Sequence, residues 1–472
     1  MNLKPMQWAA IGLGLSVALY FVYFHLQYFG DVSLLGAVLL LEIIVACLWK
    51  YQERFFVLLV IVFLWAGMNV PLQSAGTVGR WVVLAAGSFV GCFVWLKTPH
   101  KPFASLHLIA FFCVCAAFVS ATVSSFVDLA SAKAFSLMLL FLYCATGARL
   151  AVLGREQRFF RGVVLGSEIA VYATAICSLG LGISLWGNPN SLGAAMSIGT
   201  FPILFWGWLT SDAVWVKRRR LVALLLCAYL LNFSMARAGL VSVTLVTLLF
   251  CVCLRQYKLL VRIAAFVLVL IAVGGMFAPQ ALTKQLIDLQ DSVLYKGHKT
   301  EGVLGSRRSP WDKSMASIKE HPLFGTGYGT SPTGENPGLG PGRFSSSAEE
   351  EREHGSSYLT IAEWVGLMGG LPFAALLLLT ALNVWKACVW MVRTGDPRHY
   401  SVPLAMVVLS GLIHAGFEDS LFAVGSYLSL WFWVFAFVLA DLVPEKLPVP
   451  AGVLSRTSRP TPVGYGAVAS SR

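Results

Sequence analysis

The chain has 472 residues, of which 57% are hydrophobic and only 12% charged, with a mean hydropathy of +0.73 and a formal net charge of +12. Soluble domains carry roughly a quarter charged residues, so this composition excludes an ordinary soluble enzyme, a disordered chain, collagen and a coiled coil. It points to an all-α polytopic membrane protein, with room for a dozen or more helices at about 20 apolar residues per crossing.

Lys4 precedes a long apolar stretch without a small-residue cleavage site, which reads as a retained first span. Apolar runs then recur near 7–24, 33–49, 55–72, 81–96, 104–122, 134–148, 163–184, 191–210, 221–234, 238–254, 259–278, 357–385, 401–415 and 421–443. The expected count is about 12–14 spans, the runs at 134–148 and 221–234 being short. The ten cysteines all lie in or beside these runs and form no C-x-x-C pair. They read as small buried hydrophobes rather than disulfides or metal ligands.

The connecting segments alternate in charge. One set carries nineteen basic residues, among them Lys50, Lys101, Arg149, Lys217 to Arg220, Arg255 and Arg398. The interleaved short loops carry three, Arg80, Lys133 and Arg237. The positive-inside rule then places both termini in the cytoplasm. The net charge is mostly this bias. No nucleic-acid motif is present, and no nucleic-acid partner is expected. The chain divides into N-terminal spans (1–186), a second set of spans (187–279), one large outer loop (280–357), C-terminal spans (358–443) and a cytoplasmic tail expected to be disordered (444–472).

The outer loop is nearly neutral, with nine Lys/Arg and ten Asp/Glu. Leu282, Leu286, Leu289 and Val293 predict a short amphipathic helix over 280–295. Ser309-Pro310 predicts a second helix, with Pro310 at its first position, a stripe of Trp311, Met315 and Ile318, and an end near His321-Pro322. The run Gly325-Thr326-Gly327-Tyr328-Gly329-Thr330 allows close backbone approach to a ligand or a phosphate; it reads equally as a flexible loop, and it is not a P-loop. Residues 331–347 read as a mobile flap.

A lone histidine is more often structural, but His354 stands just before a long apolar helix, where a helix N-terminus is an anion site and an imidazole can take a proton near neutral pH. Glu363 is an intramembrane carboxylate and so a functional candidate. Arg237, flanked by small residues, reads either as an interfacial arginine or as a guanidinium aimed at phosphate oxygens. Arg307 and Arg308 read by default as surface charge, or with Arg237 as two or three cationic contacts around one diphosphate. There is no D-x-D motif; Glu349, Glu351 and Glu353 read as a solvated acidic run, and no metal site or cofactor is expected. Glu418-Asp419 is the other polar pair on the outer side.

Four patches, spanning about 187–370, carry a resemblance. They are Gly187-Asn188-Pro189-Asn190-Ser191-Leu192-Gly193, Ser234-Met235-Ala236-Arg237-Ala238-Gly239, Arg307 with Trp311 and Pro322 to Gly327, and His354 before Tyr358-Leu359 with Glu363 and Gly366. In order and spacing the set resembles the O-antigen ligase/O-antigen polymerase superfamily of bacterial inner-membrane glycosyltransferases, most closely the ligases. The resemblance implies a GT-C-like membrane fold and an active site at the periplasmic face. It implies metal-independent, inverting transfer of a glycan from undecaprenyl diphosphate to lipid A-core. Carried over, Arg237 and Arg307 bind the diphosphate and His354 activates the acceptor hydroxyl. Arg308, Tyr328 and Glu363 are further candidates for contact with the diphosphate-linked glycan. The family usually has Asn after the histidine; here Gly355 follows. The competing readings are a glycan polymerase or protein O-oligosaccharyltransferase on the same donor and, in a different class, a lipid-linked glycan transporter. Nothing in the sequence sets the oligomeric state.

Overall fold

A computed structural model describes residues 52–70, 73–98, 100–277, 305–330 and 355–444. The first two predicted spans, the segments 280–295 and 331–347, His354 and the tail from 445 onward lie outside the described residues.

The described residues hold helices and no strand, in an all-α, multi-pass bundle. In chain order these are α1 (Gln52–Gly67), α2 (Gln73–Lys97), α3 (Ser105–Thr122), α4 (Val127–Ala145) and α5 (Gly147–Val152). There follow α6 (Glu156–Ala175), α7 (Pro189–Ala194), α8 (Phe201–Leu209), α9 (Val214–Phe233), α10 (Arg237–Cys253) and α11 (Tyr257–Phe277). The last are α12 (Gly305–Glu320), α13 (Ser357–Thr394), α14 (Ser401–His414) and α15 (Tyr427–Leu442). Among the described residues, six stretches are long and apolar enough to cross a membrane by themselves. Shorter apolar helices, α10, α14 and α15 among them, pack between these.

The two short predicted runs become full helices, because both helices continue through charged residues. In α4 the Lys133 amine reaches the Gly329 carbonyl at 2.7 Å. In α9 Arg219 and Arg220 pair with the buried Glu168 on α6, at 2.7 and 3.2 Å. The last predicted run shortens from the other side. Leu421 and Phe422 are buried in a non-helical loop, where the Leu421 carbonyl accepts from Ser429 and Trp433, and α15 begins only after the Ser426 cap.

The core is aromatic and aliphatic and centres on α15. Trp433, Phe435 and Phe437 are fully buried there, and Phe141 and Phe422 stand edge-on or tilted against Trp433.

Polar contacts pair the predicted loop classes with themselves. Arg80 binds the Gly425 carbonyl, Lys133 that of Gly329, and Arg307 the Glu418 carboxylate. At the opposite end Lys101 and Arg149 converge on Asp441, Arg255 binds the Val392 carbonyl, and Arg398 binds Asp212. The two charge classes thus occupy opposite ends of the bundle. We call the Arg307 end upper and the Arg149 end lower.

Candidate active site

The upper end is built from helix ends. Asn188 caps α7, its Oδ1 accepting from the Ser191 amide at 2.7 Å, and Pro189 takes a first-turn position that has no amide partner to lose. This short helix lies directly on the second motif. A side chain at Gly193 would run into Ala236 and the Ser234 hydroxyl. The turn between α9 and α10 is consequently tight. Met235 sits at φ +51, a left-handed conformation that costs a non-glycine residue on the order of 1 kcal/mol, and Ser234 Oγ accepts from the Ala236 amide. Arg237 is the first residue of α10, so this strained turn aims it.

Arg307 arrives from α12. This helix begins at Gly305, earlier than the sequence suggests, and carries Pro310 in its interior rather than at its start. Proline removes one amide bond from the helix, which the extra first turn survives. The buried face also differs from the predicted stripe. Ser314 and Ser317 are buried, while Met315 is 43% exposed. Small hydroxyl side chains let α12 lie close on α13. Between the two neighbouring arginines, Arg307 turns inward, 11% exposed and paired with Glu418, whereas Arg308 is exposed.

Arg237 and Arg307 lie within electrostatic range of one another, although 70 positions apart in sequence. Arg307 is likewise within range of His414, the last residue of α14. The register of α10 and α14 explains the meeting. The two helices run antiparallel, with Ser242 and Ser410 in hydrogen-bond contact at 3.3 Å. At 1.5 Å per residue, Arg237 is about 7.5 Å above that contact and His414 about 6 Å above it. Both therefore reach the same level.

Gly355, the residue that follows His354 in the chain, packs on the same place. Its carbonyl accepts from Trp311 Nε1 at 3.1 Å, and a Cβ on it would meet Trp311, Arg307 and Pro310 at 3.3–3.4 Å. Its φ of +70 lies in the left-handed region, which Gly and Asn tolerate best. The amide of Ser357, which opens α13, donates to the carbonyls of Ala415 (2.9 Å) and Glu418 (3.0 Å). That part of the expected helix-terminus anion site is thus occupied by protein.

The glycine run is neither a loose loop nor an open cradle. Residues 325–330 are all buried. Thr326 and Gly327 donate their amides to the carbonyls of Glu363 and Trp364 at 3.0 and 3.1 Å. Those carbonyls are freed because α13 breaks at Gly366, where φ is +59 and ψ −165. Leu367 and Met368 then donate to Pro322 and Leu323. The segment after α12 is stitched into a gap in a transmembrane helix. Backbone passes so close that a Cβ on Gly366 would fall 2.5 Å from the Gly325 nitrogen. Tyr328 is 1% exposed, its hydroxyl on the Phe422 carbonyl and its ring against Trp364 and Phe373. Glu363 is fully buried beside the break.

The structure thus brings Arg237 and Arg307 together, turns Arg308 outward, and sets Tyr328 and Glu363 in the packed wall; His354 lies outside the described residues. Sequence reading passed over His414. Its one signal is a histidine closing an apolar run four positions before Glu418.

No curated protein matches the chain. Residues 221–374, about a third of the chain, run from α9 past Arg237 and Arg307 into α13 and match the family model for O-antigen ligase, a similarity that supports the resemblance to that superfamily.

Proposed function

We propose that the protein is a glycosyltransferase of the O-antigen ligase type. It moves a glycan from undecaprenyl diphosphate to a sugar hydroxyl of lipid A-core, at the periplasmic face of the bacterial inner membrane. The observation that carries this reading is the convergence of Arg237 and Arg307 at one end of the bundle, inside the stretch that matches the family. The basic-residue bias of the loops assigns that end to the periplasm.

In the reaction, the acceptor oxygen attacks the anomeric carbon as the bond from that carbon to the phosphate oxygen breaks. The diphosphate departs with the bonding electron pair. Arg237 and Arg307 neutralise the charge that grows there, a contribution of about 10²–10³-fold per donor in comparable sites. The imidazole of His354 takes the hydroxyl proton, worth roughly 10²–10⁴-fold. Single displacement inverts the anomeric centre. Two guanidiniums supply the positive charge, and the reaction needs no metal. Tyr328 and Glu363 shape the wall behind the arginines.

The test is transfer by the purified protein from undecaprenyl-diphosphate glycan to lipid A-core. Wild-type protein should give the inverted product in the presence of EDTA. Arg237→Ala and Arg307→Ala should each lower transfer about 10²–10³-fold, and His354→Ala about 10²–10⁴-fold, while remaining folded. Extension of a second lipid-linked glycan instead of the core would identify a polymerase. Unchanged transfer in all three variants would remove the site.

A further inference from the structure

We propose that His414 is the third member of the diphosphate site, donating a hydrogen bond from Nδ1 to a phosphate oxygen of the donor lipid. The proposal rests on the diphosphate site described above and adds to it a residue on another helix.

His414 is 2% exposed, and its Nδ1 is buried without a hydrogen-bond partner. Leaving a buried donor or acceptor unpaired is costly, so such a group is expected to be satisfied in some state of the protein. The protein offers it little. The carbonyls of the last turn of α14 are already in use: Gly411 accepts from the Ala415 amide at 2.9 Å and Ile413 from the Gly416 amide at 3.2 Å. The His414 carbonyl itself accepts from Phe417 and Glu418, at 3.0 and 3.1 Å.

The surroundings select an anion. Arg307 is within electrostatic range of the imidazole, and the Ser242–Ser410 register raises Arg237 to the same level. The charged groups on this side of the ring are the Arg307 guanidinium and, through the 415–418 turn, the Glu418 carboxylate that Arg307 already holds. A helix C-terminus ordinarily repels anions through its open carbonyls. Here the returning loop has capped them, which lowers that penalty. A diphosphate bridging the two arginines would bring phosphate oxygens to the His414 Nδ1, a buried group left without a partner among the described residues. In the Nδ1–H tautomer the imidazole completes the cradle from the α14 side, opposite α12.

The experiment measures binding of undecaprenyl diphosphate, and separately of inorganic pyrophosphate, to the purified full-length protein, together with KM for donor and acceptor. A hydrogen bond to a charged group is worth about 1.5–3 kcal/mol, or roughly 10- to 150-fold in affinity. His414→Leu should therefore weaken both probes at least about tenfold and raise the donor KM in the same ratio, with the acceptor KM unchanged. His414→Asn, whose amide N–H reaches the Nδ1 position, should stay within about threefold of wild type. His414→Gln, which places its amide at the other ring nitrogen, should resemble the leucine variant. Comparing the Asn and Gln variants keeps the test valid even if His414→Leu fails to fold.

Unchanged probe binding in His414→Leu, or equal behaviour of Asn and Gln, would overturn the proposal. So would an effect on the lipid probe but not on pyrophosphate, since it would place the contact on the lipid chain. Arg237→Ala and Arg307→Ala serve as the reference. If they weaken binding and His414→Leu does not, this inference alone falls. If they too bind normally, the diphosphate site falls with it.

Discussion

Two arginine–carboxylate pairs stand at opposite ends of the bundle, and their surroundings differ. At the lower end Arg149 is fully buried. It binds both Asp441 oxygens at 2.5 and 2.9 Å, the carbonyls of Ala145, Lys101 and Pro102, and lies 4.3 Å from the Trp95 ring centre. At the upper end the Arg307 and Glu418 side chains remain 11% and 20% exposed. The first pair is a fixed joint between α5 and α15: any ligand for Arg149 would have to break a saturated, desolvated network. The second can trade a carboxylate for a phosphate, because solvent already shares the contact. The difference separates a structural arginine from the one proposed to bind the diphosphate, where residue type and partner type are the same.

Breaking the lower pair should give the largest change in stability. Arg149→Leu leaves the Asp441 carboxylate buried without its cation, and the expected loss is about 3–5 kcal/mol, read as thermal unfolding in detergent. An unshifted melting temperature would mean that the joint contributes nothing. Removing Arg307 should do the reverse. Arg307→Ala should leave unfolding nearly unchanged while transfer falls about 10²–10³-fold. A comparable drop from Arg308→Ala, whose side chain is exposed, would reassign the role to the neighbour. Gly366→Ala tests the seam between α13 and the glycine run. Its Cβ would collide with backbone in a left-handed conformation, at a cost of about 1–3 kcal/mol, with transfer falling as the wall shifts. The smallest effect belongs to the acid of the upper pair. Glu418→Gln should cost about 1 kcal/mol or less, against several for Asp441→Asn, because a partly exposed ion pair contributes little. Equal losses from the two acids would erase the contrast.

Much of this architecture was legible in the chain. Twelve of the fourteen apolar runs correspond to helices among the described residues, and the charge alternation of the loops became the separation of upper from lower contacts. Hydropathy and loop charge are local, so a single sequence displays them. The four motifs were visible for the same reason. The unread features are relations between distant positions. Arg149 looked like one more basic loop residue, since its partner lies 292 positions away. The glycine run looked like a loop because nothing nearby announces that Gly366 will open α13 and offer it carbonyls. Pro310 suggested a helix start by its ordinary preference, which the preceding turn carrying Arg307 overrode. His414 was hidden inside an apolar run, where a periodicity argument sees only a span.

The upper contacts also impose an order of manufacture. Arg80 takes the carbonyl of Gly425, and Arg307 takes a carboxylate 111 positions downstream. The amides of Thr326 and Gly327 wait for carbonyls near position 364. A ribosome delivers the chain from its N-terminus, at about 5–20 residues per second. The arginines thus enter the bilayer well before the segments that will hold them, and a nascent chain halted ahead of α14 has both guanidiniums but no Glu418 or His414 to set beside them. The proposed diphosphate site is therefore complete only with the closing segments of translation, and under that proposal prematurely terminated products do not hold the carrier in it.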